Sequence, residues 1–397
     1  MRKIAATYLF TPKSQLQKNA ILVCEDDGTV IDVIIKDERF REEAAVEFYS
    51  GILVPGFVNA HCHLELSYLH RKIEPGQGLG RFIGSINNLR DTNEQDLQRV
   101  MQVADRRMWA SGIAAVGDIS NSTRSLVTKK QSKIYYHTFV ETFGFHPSRA
   151  ERAFALAEKT QTEFVDSGLK ASIVPHAAYS VSESLFERVS AKADKDEAIL
   201  SVHNQESPEE EQFFKEGKGP ILDHYQQNLK LETSHWHPHK ENSLEFILKR
   251  IPKQTQLLLV HNTFISDSDL EVLNKKRSPQ NTFLVVCPNS NLYIENNLPR
   301  IDLLRKNGFP LCIGTDSLAS NRQLSVLEEM ITIQKHFPEI KLEELFGWAC
   351  YNGARALNIE STFGDFKPGK KAGVNLIMGL DLKSLKLSSQ TKVKRLL

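Results

Sequence analysis

Short apolar runs alternate with longer amphipathic stretches through the middle of the chain. Eight such runs are rich in Val, Ile and Leu and mostly lack the alternating polar positions of a half-exposed strand. They are Ile52–Ala60, Ile113–Ile119, Tyr135–Phe143, Ala171–Pro175, Ala198–Val202, Gln256–Val260, Thr282–Cys287 and Pro310–Gly314. Apolar strands separated by helices predict a parallel sheet buried on both faces. Eight of them predict an α/β protein built on a closed (β/α)8 TIM barrel.

Helical stretches fill the gaps between these runs. Asn93–Ala110 and Ser148–Asp166 carry apolar residues at three- and four-residue spacing, which predicts two amphipathic helices. A third helix is predicted over Val181–Ala193. Ser180 precedes this helix and Glu183 follows three residues later, which is the pattern of a capping box.

Two segments between predicted strands are unusually long. They run from His61 to Ser111 and from Glu206 to Thr255. Long loops in compact domains are commonly functional, and both of these follow a strand, so in a barrel both begin on the catalytic face. We therefore expect substrate specificity to reside in Leu64–Asn93 and Ser207–Ser243.

The two ends of the chain differ from its middle. Residues 1–50 read as short β segments with turns, and residues 363–380 read as two short strands joined by a Pro-Gly turn. We predict that residues 1–54 and 355–397 meet in one small β-sandwich domain. This domain flanks a metal-dependent hydrolase barrel formed by residues 55–354.

Composition narrows the class of protein. The chain has 397 residues, 41% hydrophobic and 25% charged, which is ordinary globular composition. Lys and Arg number 50 and Asp and Glu 49, and a net charge of +1 argues against a nucleic-acid-binding protein. No apolar run approaches the length of a membrane span, and no signal peptide is recognised. The five cysteines form no CxxC pair, so the prediction is a cytoplasmic protein without a disulfide framework.

A His-Cys-His sequence follows the first apolar run directly. Along a strand, residues two apart point to the same side, so His61 and His63 can reach one metal ion, whereas Cys62 points away. The alternative is two unrelated loop histidines, because a chain with 13 histidines contains such a pair by chance quite often. The spacing alone leaves both interpretations open.

Four other polar residues stand at the ends of apolar runs, namely His176, His203, His261 and Asp316. In a barrel the carboxyl ends of the strands converge on one cleft. Histidine and aspartate are residues that bind zinc. The positions of these residues therefore favour a metal site over a chance arrangement.

Catalytic zinc usually keeps three or four protein ligands and one open position for water. The predicted ligands are His61, His63, His203 and Asp316, which supply three imidazole nitrogens and one carboxylate oxygen. The fourth strand ends at His176 and offers no lysine that could bridge two ions, so we expect one metal ion.

A carboxylate follows the fifth strand in the sequence His-Asn-Gln-Glu. Glu206 can turn over the metal site and carry a proton between water and substrate. The alternative is a glutamate that merely stabilises a helix N-terminus, a role that Glu209–Glu211 already fit. His261 is either a fifth ligand or a group that orients the water.

Several of these motifs resemble the amidohydrolase superfamily. The resemblance rests on ILVPGFVNAHCHLELS at the first strand, SVHNQE at the fifth, LVHNTF at the sixth, CPNSNLYI at the seventh and IGTDSLASN at the eighth. The closing segments NGARALNI and GDFKPGKKAGVNLI are also similar to that superfamily. Within it, the chain looks most like the branch of S-adenosylhomocysteine/methylthioadenosine deaminases, aminodeoxyfutalosine deaminases and chlorohydrolases.

The resemblance implies roles for individual residues. The H-x-H pair, the fifth-strand histidine and Asp316 hold one divalent ion, with zinc expected and iron or manganese as alternatives. Glu206 shuttles protons, His261 hydrogen-bonds the water or the leaving side of the ring, and Asp316 is both ligand and base. Glu65 and His176 fall where the branch contacts substrate.

These residues predict an aminohydrolase that uses a metal-bound hydroxide to release ammonia from an adenine-type nucleoside or related N-heterocycle, a small molecule. By the resemblance, aminodeoxyfutalosine, S-adenosylhomocysteine or methylthioadenosine is the expected kind of substrate. The alternatives are cleavage of a cyclic amide, displacement of a ring chloride, and a non-catalytic descendant of such enzymes. Neither nucleic acid nor membrane is an expected partner, and the sequence leaves a homodimer open. His235, His237 and His239 match no motif and are predicted to lie in a solvated loop.

Overall fold

The computed structural model describes residues 1–11, 15–36, 45–89 and 93–397 and is an α/β protein. Its strands are β1 (Arg2–Thr11), β2 (Gln15–Gln17), β3 (Ala20–Cys24), β4 (Val30–Ile35), β5 (Val46–Pro55), β6 (Phe57–Cys62), β7 (Ile113–Ser120), β8 (Tyr135–Thr142), β9 (Lys170–Pro175), β10 (Leu200–Asn204), β11 (Leu257–His261), β12 (Thr282–Val286), β13 (Leu311–Ile313), β14 (Val374–Met378) and β15 (Lys392–Arg395). Residues 12–14 and 37–44 of the predicted segment 1–50, and residues 90–92 of His61–Ser111, lie outside the described part.

Helices connect these strands. They are α1 (Leu79–Asn88), α2 (Glu94–Ala110), α3 (Leu126–Gln131), α4 (Ala150–Asp166), α5 (Glu183–Lys195), α6 (Pro208–Glu216), α7 (Pro220–Asp223), α8 (Ser243–Arg250), α9 (Asp267–Lys276), α10 (Pro288–Glu295), α11 (Ile301–Lys306), α12 (Val326–His336), α13 (Leu342–Phe346) and α14 (Gly353–Ala356). Short 3-10 helices cover Leu64–Leu69 and Pro147–Arg149, and π-helical turns cover His224–Asn228 and Gly347–Asn352. No helix within the described ranges is both long enough and apolar enough to cross a bilayer.

Two four-stranded parallel sheets form the centre of the molecule. One has the order β6-β7-β8-β9 and the other the order β10-β11-β12-β13. Isolated parallel bridges join Ala177 to His203 and Cys62 to Asp316, and so link the outer strands of the two sheets. Every residue of β6, β7, β10, β11, β12 and β13 is buried. The predicted parallel strands with two covered faces are therefore confirmed.

The first predicted strand, Ile52–Ala60, is divided in the structure. Its first part belongs to β5 in the terminal sheet and its second part to β6 in the parallel sheet. The division falls at Gly56, where an added Cβ would lie 2.5 Å from the Cβ of Ala114. The point where the chain passes from one sheet to the other is therefore closely packed, which an apolar run does not reveal.

Two strands begin and end one or two residues later than predicted. Strand β10 begins at Leu200 rather than Ala198 and continues through His203, and β11 includes His261. Backbone pairing of Asn204 with His261 carries both strands past their apolar residues. These histidines are therefore held by the sheet itself rather than by the loops that follow.

Strands from both chain ends form one further sheet. Its order is β15-β14-β5-β1-β3-β4, with β2 paired to β1. The segment 363–380 contributes only one strand to it, β14, instead of the predicted two. The residues before β14 form a loop that is hydrogen-bonded to the start of β4. The Gly369 N–H donates to the Val30 carbonyl and the Val30 N–H donates to the Lys370 carbonyl, each at 2.8 Å.

Two of the three predicted helices are confirmed and one is shifted. Helix α2 begins after Asn93, whose side chain accepts the Gln95 N–H, and α4 covers most of Ser148–Asp166. Helix α5 runs two residues later than Val181–Ala193 and has no side-chain cap.

The predicted capping box before α5 is not formed. Ser180 instead forms hydrogen bonds within the loop after β9. Its Oγ lies 2.7 Å from Nδ1 of His176 and 3.2 Å from the backbone nitrogen of Ala177. The serine that was expected to cap a helix therefore orients a histidine at the end of β9.

Candidate active site

Three histidines and one aspartate lie together at the carboxyl ends of the parallel strands. The Nε2 atoms of His61 and His63 are 3.1 Å apart, and those of His63 and His203 are 3.3 Å apart. The Oδ1 atom of Asp316 lies 3.5 Å from Nε2 of His63 and 3.8 Å from Nε2 of His61. All four side chains are buried. The structure thus brings together the four residues that the sequence nominated as metal ligands.

The backbone at these strand ends adopts conformations that side chains rarely take. The φ angles are +74° at His261 and +54° at Asp316, and Gln205 next to β10 has +46°. Positive φ angles in residues other than glycine cost free energy and persist only where the surrounding structure enforces them. Two of these three residues, His261 and Asp316, line the cleft, whereas the side chain of Gln205 donates to Asp269.

The imidazoles of the cluster are in the form that binds metal. Burial lowers the pKa of His63 to about 4 and also lowers the pKa of His203, so both rings are neutral near pH 7. Nδ1–H of His203 donates to the backbone carbonyl of His176 at 3.0 Å. This bond leaves the lone pair on Nε2, which faces the cluster.

Asp316 is held by two hydroxyl groups. Its Oδ2 accepts hydrogen bonds from Ser290 Oγ at 2.5 Å and Ser320 Oγ at 2.6 Å. Burial opposes ionisation, but the nearby imidazoles of His63 and His261 and these hydroxyls lower the pKa of Asp316 below its usual value. The carboxylate is therefore ionised, with Oδ1 directed at the histidines.

The donor set fits a divalent cation. Zinc–nitrogen bonds of roughly 2.0–2.1 Å in a tetrahedral site place neighbouring donor atoms about 3.3 Å apart. The observed separations among His61, His63 and His203 are close to that value. Converging lone pairs repel one another unless a positive charge lies between them. Three imidazoles and a carboxylate are also a donor set that zinc prefers.

Glu206 lies beside this cluster. Burial raises the pKa of Glu206 well above its usual value, and the charge of Asp316 adds to the effect. The backbone N–H of Glu206 donates to Oε2 of Glu210 at 3.2 Å, which fixes the turn after β10. Glu210, which the sequence suggested only as a helix-terminal charge, therefore positions the candidate proton carrier.

His261 faces Glu206 through a defined nitrogen. Nδ2 of Asn291 lies 3.2 Å from Nδ1 of His261 and donates to it, which leaves the proton on Nε2. That Nε2 lies 3.6 Å from Oε1 of Glu206. His261 therefore stands next to the proton carrier and outside the group of three close imidazole nitrogens.

A cavity of about 390 Å³ opens in front of these residues. Its lining comes largely from the two long segments that were expected to carry specificity and from the loops after β8 and β9. The lining includes Leu66, Leu79, Phe82, Ile83, Ile86, Asn121, Glu141, Phe143, Arg149, His176, Tyr179, Glu206, Ile221, His224, Tyr225, Leu229, His261 and Asp316.

The two predicted substrate contacts are placed differently. His176 lines the cavity. Glu65 is not among the lining residues, and its carboxylate instead accepts the N–H of Asn121 at 3.1 Å and the hydroxyl of Ser122 at 3.0 Å. Glu65 therefore supports Asn121, which does line the cavity, from behind.

Sequence reasoning missed the residues that support the site. Ser290, Asn291 and Ser320 fall inside the seventh- and eighth-strand motifs, but nothing in their spacing shows that they reach Asp316 and His261. Their position within those motifs was the one available signal.

The His-rich segment is not a solvated loop throughout, which corrects the prediction. His235 packs on Phe145 with ring centroids 4.9 Å apart, and His239 stacks on Phe214 at 5.2 Å. His237 is exposed as expected. The packing arises from aromatic residues that are distant in sequence and that the local pattern does not reveal.

Comparison with known proteins identifies the family. The model of the amidohydrolase family matches residues 52–394, which is most of the chain. The chain belongs to the amidohydrolase family. The resemblance inferred from the strand-end motifs is thereby confirmed.

Several named enzymes are similar to this chain in sequence or structure. The chain is 30% identical over 368 residues to an adenosine deaminase of Helicobacter pylori, covering 89% of this chain and 87% of that protein. It is similar to the crystal structure of Helicobacter pylori aminofutalosine deaminase in complex with methylthio-coformycin, with 24% identity, a TM-score of 0.82 and full coverage of both chains. It is also similar to zinc-complexed atrazine chlorohydrolase TrzN from Arthrobacter aurescens TC1, with 14% identity, a TM-score of 0.76 and coverage of 98% and 93%. These likenesses establish an α/β fold of the TIM-barrel type for this amidohydrolase.

Proposed function

We propose that this amidohydrolase is a metal-dependent deaminase that hydrolyses the exocyclic amine of an adenine-type nucleoside or related N-heterocycle and releases ammonia. The observation that carries the proposal is the position of Glu206, a buried carboxyl group with a raised pKa beside the cluster of His61, His63, His203 and Asp316. The 30% identity with an adenosine deaminase supports the same reaction class.

The cluster is the proposed site of one divalent cation. His61, His63 and His203 would hold it through Nε2 and Asp316 through Oδ1, since these atoms converge. Zinc is the expected metal, because this donor set suits it and a structural neighbour is complexed with zinc. When bound, such a cation lowers the pKa of water and makes a nucleophile available near neutral pH.

Glu206 is proposed to carry the proton. Its raised pKa favours the protonated form, which can donate to the ring nitrogen adjacent to the amine-bearing carbon. Water oxygen bonds to that carbon as the ring nitrogen is protonated. The C–N bond then breaks, ammonia leaves and a carbonyl remains. The Glu206 proton ends on the ring nitrogen, one water proton restores Glu206, and the other leaves in ammonia.

His261 and Asp316 act on the incoming oxygen. His261 presents Nε2–H beside Glu206, which suits a hydrogen bond to that oxygen. Asp316 has Oδ2 occupied by two serine hydroxyls, so only Oδ1 is free to accept the water proton. The residue therefore combines the roles of ligand and base through one defined oxygen.

The cavity favours a nucleoside-sized substrate with an apolar portion. Its volume of about 390 Å³ lies in the usual range for small-molecule sites. Leu66, Phe82 and Ile86 give part of it an apolar wall, and Arg149 is the one lysine or arginine among the described residues that line it. We propose that His176 contacts the substrate directly and that Glu65 acts through Asn121.

The architecture proposed around this site is a single (β/α)8 barrel of residues 55–354. The parallel bridges Ala177–His203 and Cys62–Asp316 support closure of the two sheets into one cylinder. The sheet that unites both chain ends supports a small flanking β-domain of residues 1–54 and 355–397. A cytoplasmic location agrees with five free, buried cysteines, and the homodimer stays a prediction.

The test is ammonia release by the zinc-loaded full-length protein. The panel contains adenosine, methylthioadenosine, S-adenosylhomocysteine, aminodeoxyfutalosine and guanine, with the Glu206→Gln variant as the inactive control. Ammonia release from an adenine nucleoside that Glu206→Gln abolishes is the expected result. No release across the panel, together with turnover of a cyclic amide or a chlorotriazine, would instead establish the alternative chemistry on the same scaffold.

A further inference from the structure

A second group of metal-binding side chains lies outside the candidate active site. His146 follows β8, and Glu232 and His235 lie in the His-rich segment before α8. Nε2 of His146 is 3.5 Å and Nδ1 of His235 is 3.4 Å from Oε2 of Glu232. The two imidazole rings have centroids 4.4 Å apart. Their three possible donor atoms all lie within 4.8 Å of one another.

These separations lie at the long end of the range for direct hydrogen bonds. A nitrogen that donates to a carboxylate normally lies about 2.7–3.2 Å from the oxygen. Distances of 3.4 and 3.5 Å are close to the roughly 3.3 Å between donor atoms that share one zinc ion. The active-site histidines show the same spacing, at 3.1 and 3.3 Å.

The surroundings of His235 decide which of its nitrogens is available. Its Nε2 lies 3.3 Å from the backbone carbonyl of Phe145, an atom that can only accept a hydrogen bond. Nε2 therefore donates to that carbonyl, and Nδ1 is the nitrogen that faces Glu232. A backbone carbonyl on the far nitrogen is the usual orienting contact of a histidine that binds metal.

His146 is oriented by a different partner. The backbone N–H of Ser148 donates to its Nδ1 at 3.1 Å, and Oγ of Ser148 lies 2.7 Å from the same atom. Nε2 therefore carries the proton and faces Glu232, and binding of a cation there releases that proton. Two imidazole nitrogens and a carboxylate oxygen thus point at one location.

We propose that His146, Glu232 and His235 bind a second divalent cation of the zinc class, with water completing the partly exposed coordination shell. The ion ties the segment between α6 and α8 to the residues that follow β8. Tyr225 and Leu229 of that segment and Arg149 beside His146 line the cavity. The second cation therefore fixes the mouth of the active site without taking part in the reaction.

The experiment is a calorimetric titration of Zn²⁺ into full-length protein whose first equivalent of zinc has already been bound. The wild type is expected to bind one further equivalent, and Glu232→Gln and His235→Ala to lose that binding. His237→Ala is the matched control, since it removes an exposed imidazole from the same segment. Glu232→Gln leaves the packing of His235 on Phe145 intact, so its loss of binding separates coordination from folding.

A second readout follows the segment itself. Hydrogen exchange over residues 229–242 is expected to slow when the second equivalent of zinc is added to the wild type and to stay unchanged in Glu232→Gln. Identical isotherms for wild type and Glu232→Gln, or a wild type that binds only one equivalent in total, would overturn the proposal. Because neither readout depends on turnover, the result is independent of the proposed reaction.

Discussion

Nε2 of His261 lies 3.6 Å from Oε1 of Glu206, and both side chains are buried at the carboxyl ends of neighbouring strands. Asn291 leaves the proton on that Nε2, so the histidine presents a donor to the carboxyl group and to the space in front of it. The pair joins a proton carrier to a fixed hydrogen-bond donor, which is the arrangement that hydrolysis of an amidine carbon requires.

Replacing Glu206 tests the proton carrier. Glu206→Gln is expected to keep its bound metal and to lose turnover by several orders of magnitude, because the amide cannot transfer the proton. Glu216→Gln, an exposed change in the following helix, is expected to leave the rate unchanged. Steady-state kinetics and metal analysis measure both effects, and an active Glu206→Gln would show that another group carries the proton.

Variants of the proposed metal ligands are compared with a variant of Cys62, which lies between His61 and His63. His203→Ala and Asp316→Ala are each expected to lower metal content as well as rate. Cys62→Ser is expected to retain metal, because the Cys62 thiol points away from the cluster toward Asp118 and Thr315. Metal content by atomic absorption distinguishes the variants, and loss of metal in Cys62→Ser would contradict the strand geometry.

The serine hydroxyls on Asp316 give a graded prediction. Ser320→Ala removes one of the two hydrogen bonds to Oδ2 and is expected to lower activity or metal affinity roughly 10- to 100-fold. Ser184→Ala, an exposed serine in α5, serves as the control. Titration with a competing chelator measures the affinity. An unchanged affinity and rate would mean that Ser290 alone is sufficient to orient the carboxylate.

A buried ion pair supports the loop that follows the paired histidines. Nζ of Lys129 lies 2.6 Å from Oδ2 of Asp118, both side chains are fully buried, and Oδ1 of Asp118 accepts the N–H of Leu64 at 2.8 Å. Lys129→Ala leaves an uncompensated buried carboxylate and is expected to lower the free energy of unfolding by about 3–5 kcal/mol.

Urea denaturation of Lys129→Ala checks that cost. The control is Lys130→Ala, which changes the exposed neighbour and is expected to alter stability by less than about 0.5 kcal/mol. Equal stabilities for the two variants would show that Asp118 is satisfied by its other hydrogen bonds.

Acid destabilisation is expected from a buried histidine outside the metal cluster. Burial lowers the pKa of His137 to about 4, below the ordinary value of 6.5. A lowered folded-state pKa contributes stability that is present above 6.5 and is lost as the pH falls through 4. The free energy of unfolding should therefore decrease over this window, by up to about 1.4 kcal/mol per pH unit for this one group.

Measurements on metal-free protein separate the protonation of His137 from loss of metal at low pH. His137→Gln is expected to show a shallower decrease than the wild type in urea titrations between pH 7 and pH 4, because glutamine does not take up a proton. Parallel pH curves for the two proteins would show that His137 has the same pKa in the folded and unfolded states.

The sequence by itself determined the alternation of buried strands and helices in the middle of this protein. Continuous apolar runs specify strands that are buried on both faces, and a polar residue that ends such a run lies at the cleft wherever parallel strands converge. For this reason His61, His63, His203 and Asp316 could be grouped before any coordinates, and the same motifs indicated the amidohydrolase family.

Tertiary structure decided everything that depends on contacts between distant segments. Ser290 reaches Asp316 across 26 positions of the chain, and His235 reaches the carbonyl of Phe145 across 90. Position 56 holds a glycine where Ala114 leaves no space for a side chain. Local periodicity reports only which face of an element is buried, whereas the packing partner on that face is chosen when the whole chain folds.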